Sequence, residues 1–234
     1  MTFQTIMVPR ARTDPAEAAL PVATRLAQSA HADLRFMPAA QVFADLVVAA
    51  RHGQEKLEGF WVDEETEYLI QHREVPVLLL GSQEAEGPAA GGLRSILVAL
   101  DLSANAEAIL ESVIALANLS GGHLTLAHVI RPIAAATTLA RRRELAQRQL
   151  DRVADRLRFR GLSVSTRLLC DSSAAQALLG ELEKPQYDVI ATTTHGAGGV
   201  HRIFLGSVAE SLIRRARKPV LLVRPSEPAP ADRP

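Results

Sequence analysis

Residues 188–223 read DVIATTTHGAGGVHRIFLGSVAESLIRRARKPVLLV. Asp188–Thr192 and Pro219–Val223 are short apolar runs of strand length. Between them a glycine-bearing loop reaches Gly206, and a helix is predicted over Val208–Arg217. A strand, a crossover helix and a second strand imply parallel pairing with a right-handed connection. Working upstream, Ser95–Leu100 (SILVAL) is continuously apolar, as a strand buried on both faces must be. A helix over Ala104–Leu119 follows, with Ile109, Leu110, Val113, Leu116 and Ala117 on one face, and Gly121-Gly122 ends it. His123–Ile130 is the next strand. Thr137–Arg160 is a long helix with the apolar stripe Leu139, Ala146, Leu150, Val153 and Leu157. Leu162–Leu168 is a strand, and Ser172–Leu182 a short helix capped by Ser172 or Ser173. Alternating strands and helices define an α/β fold, a doubly wound parallel-sheet sandwich.

The same pattern occurs earlier in the chain in shortened form. Residues 3–30 align without gaps on residues 93–120 at an offset of 90, matching Ile6, Val8, Ala16, Glu17 and Leu26 to Ile96, Val98, Ala106, Glu107 and Leu116. Residues 45–79 align on 188–222 at an offset of 143, matching Asp45, His52, Gly53 and Pro76 to Asp188, His195, Gly196 and Pro219. The difference, 143 − 90 = 53, is the number of residues the first copy lacks. They correspond to the long helix, the third strand and the short helix. The first copy keeps strands at Thr5–Val8, Leu34–Met37, Leu46–Ala49 and Val75–Leu80. The expected organisation is therefore two tandem repeats: a truncated, degenerate repeat over 1–80, a linker over 81–92, a complete repeat over 93–224, and a Pro-rich disordered tail over 225–234.

Composition narrows the function. Hydrophobic residues make up 47% and charged residues 22%, the balance of a packed globular chain. Lys+Arg 26 equals Asp+Glu 26, which disfavours whole-molecule attraction to nucleic acid or an anionic membrane. The single cysteine, Cys170, cannot form an intramolecular disulfide, so a cytoplasmic setting is expected. No apolar run approaches the roughly 18 residues of a membrane span. The opening MTFQTIMVP lacks the basic-then-apolar pattern of a signal peptide.

The chemistry is expected in the loop from Thr193 to Val208. Gly196, Gly198 and Gly199 permit close backbone approach, and Gly206-Ser207 stands where the next helix begins. Free N–H groups and the helix dipole there attract phosphate. The loop leaves the carboxyl end of a strand, where open α/β sheets bind ligands, and Asp101 lies on the same edge as a carboxylate for ribose hydroxyls. The purely structural alternative is a capping box, Ser207-Val-Ala-Glu210. Neither a Walker A loop nor a GxGxxG after the first strand is present. In the first copy, Asp63-Glu64 replace Gly206-Ser207, Glu65 and Glu67 follow, and Ala11 replaces Asp101. Those carboxylates satisfy the helix dipole themselves and repel phosphate. At most one nucleotide site per chain is expected, in the second copy.

Asp188–Gly196, Arg202–Glu210, Lys218–Val223 and Ile96–Ser103 together closely resemble the universal stress protein family. The resemblance covers the second copy and, more weakly, the first. It implies the adenine nucleotide alpha hydrolase-like form of the fold. The family's nucleotide motif is G-x2-G-x9-G-[ST]; Gly196, Gly206 and Ser207 match it, and Thr193 stands at its first glycine. By that resemblance Asp101 and the backbone near Ala99 and Val129 hold adenosine, and Gly196, Gly206, Ser207 and Val208 hold the phosphates, with His195 nearby. The implied ligand is ATP, with Mg2+ as an optional companion. The family also pairs its last strands about a two-fold axis, so Val75–Leu80 and Pro219–Val223 are expected to pair antiparallel within one chain as a pseudo-dimer. A homodimer of whole chains or a protein partner remains open.

Other residues read as structural. The Arg-rich helix over Thr137–Arg160 lacks interleaved aromatics and is best taken as a solvated face. Cys170 is expected to be a packing residue or an inert thiol, and Phe60 and Trp61 core or inter-repeat packing. The spacings of His123, His128, His195 and His201 do not suit a metal site. Three functions follow: an ATP-binding regulatory or stress-response protein, a slow ATP hydrolase or nucleotidyl-transfer enzyme, and a scaffold that binds no nucleotide. Phosphate chemistry needs a cationic clamp. Only Arg202 and His195 lie close in sequence, and Lys occurs only at 56, 184 and 218, which favours binding with slow or no turnover.

Overall fold

The computed structural model describes residues 2–9, 15–51, 62–81, 92–103, 105–132, 136–194 and 205–225. Two kinds of run alternate along them. The strands are β1 (Thr5–Pro9), β2 (Asp33–Met37), β3 (Leu46–Ala50), β4 (Val77–Leu80), β5 (Ser95–Ala99), β6 (His123–Ile130), β7 (Ser163–Cys170), β8 (Val189–Thr193) and β9 (Val220–Val223). The helices are α1 (Pro15–Ala30), α2 (Glu64–His72), α3 (Leu110–Ser120), α4 (Ala136–Phe159), α5 (Ala174–Leu182) and α6 (Ser207–Arg215). A 3-10 turn over Asn105–Ile109 leads into α3, where a single continuous helix was expected. Other boundaries differ from the sequence expectation by one or two residues, since helix and strand ends are set by local capping. In α5 that cap is Ser173, which accepts from the Gln176 N–H at 3.3 Å.

The strands form one nine-stranded sheet in the order β2-β1-β3-β4-β9-β8-β5-β6-β7. All neighbours are parallel except β4 and β9. One face buries Ile6, Val8, Ile96, Val98, Leu124 and Leu126 under α1, α3 and α4. The other buries Met7, Val47, Leu79, Leu97, Ile190 and Leu222 under α2, α5 and α6. Strands covered on both faces explain the continuous apolar runs of the sequence.

The sheet reads almost the same from either side of its centre. Pairing β1, β2, β3 and β4 with β5, β6, β8 and β9 makes the order palindromic, with β7 as the one extra strand. The central register is Val77↔Leu222, Leu78↔Leu221 and Leu79↔Val220. Leu78 and Leu221 are 143 residues apart, so a local two-fold passes between equivalent residues. The hydrogen bonds repeat as well. Asp45 accepts the Gln4 and Thr5 N–H groups at 2.8 and 2.9 Å, and Asp188 accepts those of Arg94 and Ser95 at 2.9 and 2.8 Å. These aspartates tie the start of one strand to the start of its neighbour, which gives a structural reason for their recurrence.

Gly121 and Gly122 end α3 for different reasons. Gly121 adopts φ +61°, the left-handed cap that glycine enters without penalty. A Cβ on Gly122 would lie 2.5 Å from the Arg94 carbonyl oxygen, beside the 2.7 Å bond from His123 N–H to that same carbonyl.

One charge is buried under α5. Glu181 is 4% exposed, accepts from the Tyr187 hydroxyl at 2.9 Å and from Lys184 Nζ at 2.6 Å, and lies 3.3 Å from Arg167 Nε. Burial works to raise its pKa, but the bonds from Lys184 and Tyr187 and the Arg167 charge hold it below the ordinary glutamate value. Burial first, and then Glu181, pushes the Tyr187 hydroxyl above its ordinary value. Cys170 is exposed, so the packing role does not hold. Phe60 and Trp61 lie outside the described residues. No helix among the described residues is long and apolar enough to cross a membrane.

Candidate functional site

The chain leaves β5 to one side, toward β6, and later returns to β8 on the other side of β5. Where connections diverge in this way, a crevice forms beyond the strands' carboxyl ends. Ala99 ends β5, Val129 is the penultimate residue of β6, and Thr193 ends β8. All three therefore share this edge of the sheet. Ala99 and Thr193 are buried and Val129 is half-buried. Asp101 follows β5 and is exposed; its Oδ1 accepts from the Ser103 N–H at 3.0 Å and from the Ser103 hydroxyl at 2.6 Å. Two bonds hold the β5 extension against β6: Leu100 N–H to the Ala127 carbonyl at 2.8 Å, and His128 Nδ1 with the Leu100 carbonyl at 2.8 Å. Leu102, next to Asp101, takes φ +64°, an uncommon conformation for a residue with a side chain. His195 and Gly196 lie outside the described residues, as do Ala11, His52 and Gly53 of the first half.

Gly206, Ser207 and Val208 form the start of α6 at the same edge. Gly206 is the N-cap, and its N–H donates to the Thr194 carbonyl at 2.7 Å. Ser207 is the first helical residue and not the cap, so the capping box that was the structural alternative is not formed. Glu210 turns instead to Arg214, 2.7 Å away. Among the described residues no side chain caps α6. The equivalent helix of the first half is closed: Asp63 accepts from the Thr66 N–H and hydroxyl, both at 2.8 Å, and Glu64, Glu65 and Glu67 fill its first turn. The same fold thus presents one helix N-terminus capped by carboxylates and one that, among the described residues, no side chain caps.

The far end of α6 is held by a residue the sequence reading passed over. Arg51, just past β3 and 7% exposed, donates from Nη1 to the Ile213 and Ala216 carbonyls at 2.9 and 2.7 Å. Its Nη2 donates to the Lys218 carbonyl at 3.3 Å. A guanidinium at a helix C-terminus opposes the negative end of the dipole. The first half thereby holds the C-terminal end of the helix that starts at the carboxyl edge of β8. The only sequence-level signal is a charged residue directly after an apolar strand.

A cavity of about 310 Å3 opens beside the end of β5 on the α4 face, between Leu100, Leu102 and Ser103 and the α4 residues Arg152, Val153 and Arg156. None of the predicted site residues lines it.

Comparison with known proteins agrees with this architecture. The sequence model of the universal stress protein family matches residues 92–224. The chain is 30% identical over 135 residues to a Thermus aquaticus protein named universal stress protein in QAH/OAS sulfhydrylase 3'region, covering 56% of this chain and 98% of that one. It is 31% identical over 150 residues to a universal stress protein of Mycolicibacterium smegmatis, covering 58% of this chain and 50% of that one. The crystal structure of a universal stress protein from Archaeoglobus fulgidus superposes with a TM-score of 0.67 at 17% identity, covering 94% of this chain and 98% of that one. That last likeness is one of fold, and it extends over both halves of the sheet.

Proposed function

The chain belongs to the universal stress protein family, and from that premise we propose that it binds one ATP per chain as a regulatory ligand. The proposed site is the carboxyl edge of β5, β6 and β8 with the start of α6. Asp101 and the backbone at Ala99 and Val129 would hold the nucleoside. The N–H groups at Gly206, Ser207 and Val208 would hold phosphate, with Gly196, His195 and Thr193 contributed by the loop, and with Mg2+ optional. The observation that carries this reading is the contrast between α6 and α2. Uncapped donors at a helix N-terminus fit an anion, whereas Asp63 and its acidic neighbours reject one. We read residues 1–80 as a degenerate repeat that has kept the sheet and lost the ligand, 81–92 as the linker, 93–224 as the binding repeat and 225–234 as a tail. A bound nucleotide acts by favouring the conformation it fits, and a cytoplasmic setting would supply it.

Thr193 supports a second reading, a scaffold with no nucleotide. It stands at the motif's first glycine, and it is only 7% exposed, so a buried side chain occupies that place. One experiment separates the two. Freshly purified protein is denatured and the released nucleotide identified by chromatography, beside a Gly206→Asp, Ser207→Glu variant that imitates α2. Nucleotide near one per chain, lost in the variant, supports the site. No nucleotide, and no binding of added ATP with magnesium, refutes it.

A further inference from the structure

We propose that the open edge of β2 pairs with β2 of a second copy of this chain, antiparallel and centred on Leu34. The observation is an internal control. β2 and β6 occupy equivalent places at the offset of 90, so Leu34 and Phe36 correspond to Leu124 and Leu126. Leu124 and Leu126 are 0% exposed beneath α4, and β6 is paired along its full length by β7. Among the described residues the first half has neither element. Leu34 is only half-buried, and Phe36 is 48% exposed. Apolar residues have stayed at positions that the missing residues would have covered, together with an edge that they would have paired.

The backbone says which atoms are available. Asp33 N–H donates to the Gln4 carbonyl at 2.8 Å, so by alternation Asp33, Arg35 and Met37 turn their backbone groups toward β1. Leu34 and Phe36 turn theirs outward, and among the described residues nothing bonds them. The opposite edge of the sheet is treated differently. There Arg158 of α4 donates from Nε and Nη2 to the Val164 carbonyl of β7 at 3.1 and 2.8 Å.

Charge selects both the occupant and the register. Asp33 and Arg35 sit two apart on one face, 3.3 Å from each other, with side chains 73% and 47% exposed. Two-fold pairing centred on Leu34 bonds Leu34 to its copy and sets each Asp33 opposite the partner copy's arginine, twice over. Sliding the centre to Arg35 also matches outward groups, but sets arginine against arginine, which is destabilising. The favoured register also lines Ala32, Leu34 and Phe36 of both copies along the other face, covering exposed Phe36 and the half-buried Ala32 and Leu34. Two nine-stranded sheets would then run as one.

The test is sedimentation of the full chain over a dilution series, with thermal melts to verify folding. The wild type is expected to be a concentration-dependent dimer. Arg35→Glu reverses two symmetry-related pairs and should weaken the dimer roughly tenfold or more. The exchange Asp33→Arg, Arg35→Asp rebuilds the same pairs with signs swapped and should restore it. Both positions are exposed, so the variants should fold. A wild type that is monomeric at every concentration overturns a second copy as the occupant. A dimer indifferent to Arg35→Glu, or one lost equally in the exchange variant, overturns the β2 register.

Discussion

Replacing Arg51 with Met keeps an unbranched apolar stem and removes the guanidinium. The carbonyls of Ile213, Ala216 and Lys218 then lose donors at 2.9, 2.7 and 3.3 Å. Hydrogen bonds to a charged group contribute about 1.5–3 kcal/mol each. The two short bonds dominate here, and the favourable charge–dipole interaction at the end of α6 is lost with them. Against this, the variant no longer has to bury a charge, a cost of several kcal/mol per ion before compensation. The net loss expected is about 2–4 kcal/mol. For a chain of this size, that lowers the melting midpoint by roughly 4–16 °C. Urea unfolding followed by circular dichroism should show a lower midpoint at unchanged slope. Arg51→Lys should fall between the two, since an ammonium cannot reproduce the planar fork. A loss below about 1 kcal/mol would refute the claim that this one side chain anchors α6 across the halves.

Two further outcomes follow from the packing and the charges. Gly122→Ala places a Cβ 2.5 Å from a backbone carbonyl that is already engaged, so the β5–β6 start must shift; a loss of about 1–3 kcal/mol in urea unfolding is expected, and a neutral result would contradict the close approach. Glu181 has a folded pKa below its unfolded one, so its contribution is present at neutral pH and is lost as pH falls through the folded value, below the ordinary glutamate range. Unfolding midpoints measured from neutral pH downward should show the gap between wild type and Glu181→Gln narrowing; a gap constant with pH would show that the carboxylate is not held in its charged form by Lys184, Tyr187 and Arg167. Tyr187 works in the opposite sense, its contribution being lost as pH rises through its raised value.

What the sequence revealed was what periodicity and repetition encode. SILVAL and VLLV read as buried strands, the offsets of 90 and 143 disclosed the repeat, and the family resemblance implied the pairing of the last strands, which the sheet makes with Leu78 against Leu221. The contrast on which the proposed site rests was legible too, because Asp63 and Gly206 occupy equivalent places and differ in charge. What escaped were properties created by contact between distant segments. Arg51 looked like an ordinary charge after a strand, since its carbonyl partners lie more than 160 residues away. Leu34 and Phe36 carry the same alternation as Leu124 and Leu126; with no counterpart of α4 and β7 beside them among the described residues, Leu34 is half-buried and Phe36 exposed, while Leu124 and Leu126 are buried. The capping box failed because Gly206 takes the extended N-cap conformation itself, moving Ser207 into the helix.

The position of β9 also sets the order in which the molecule can be completed. It lies between β4 and β8, at the middle of the sheet, yet it comes after every other strand in the sequence. During translation β4 must wait for a partner about 143 residues behind it, which at roughly 5–20 residues per second takes on the order of ten seconds. Throughout that interval Val77–Leu80, an apolar stretch at the rim of an unfinished sheet, is open to wrong partners. Ribosome-bound intermediates halted before Val220 should accordingly be the species that aggregates or recruits a chaperone, and release of β9 should end that vulnerability for both halves at once.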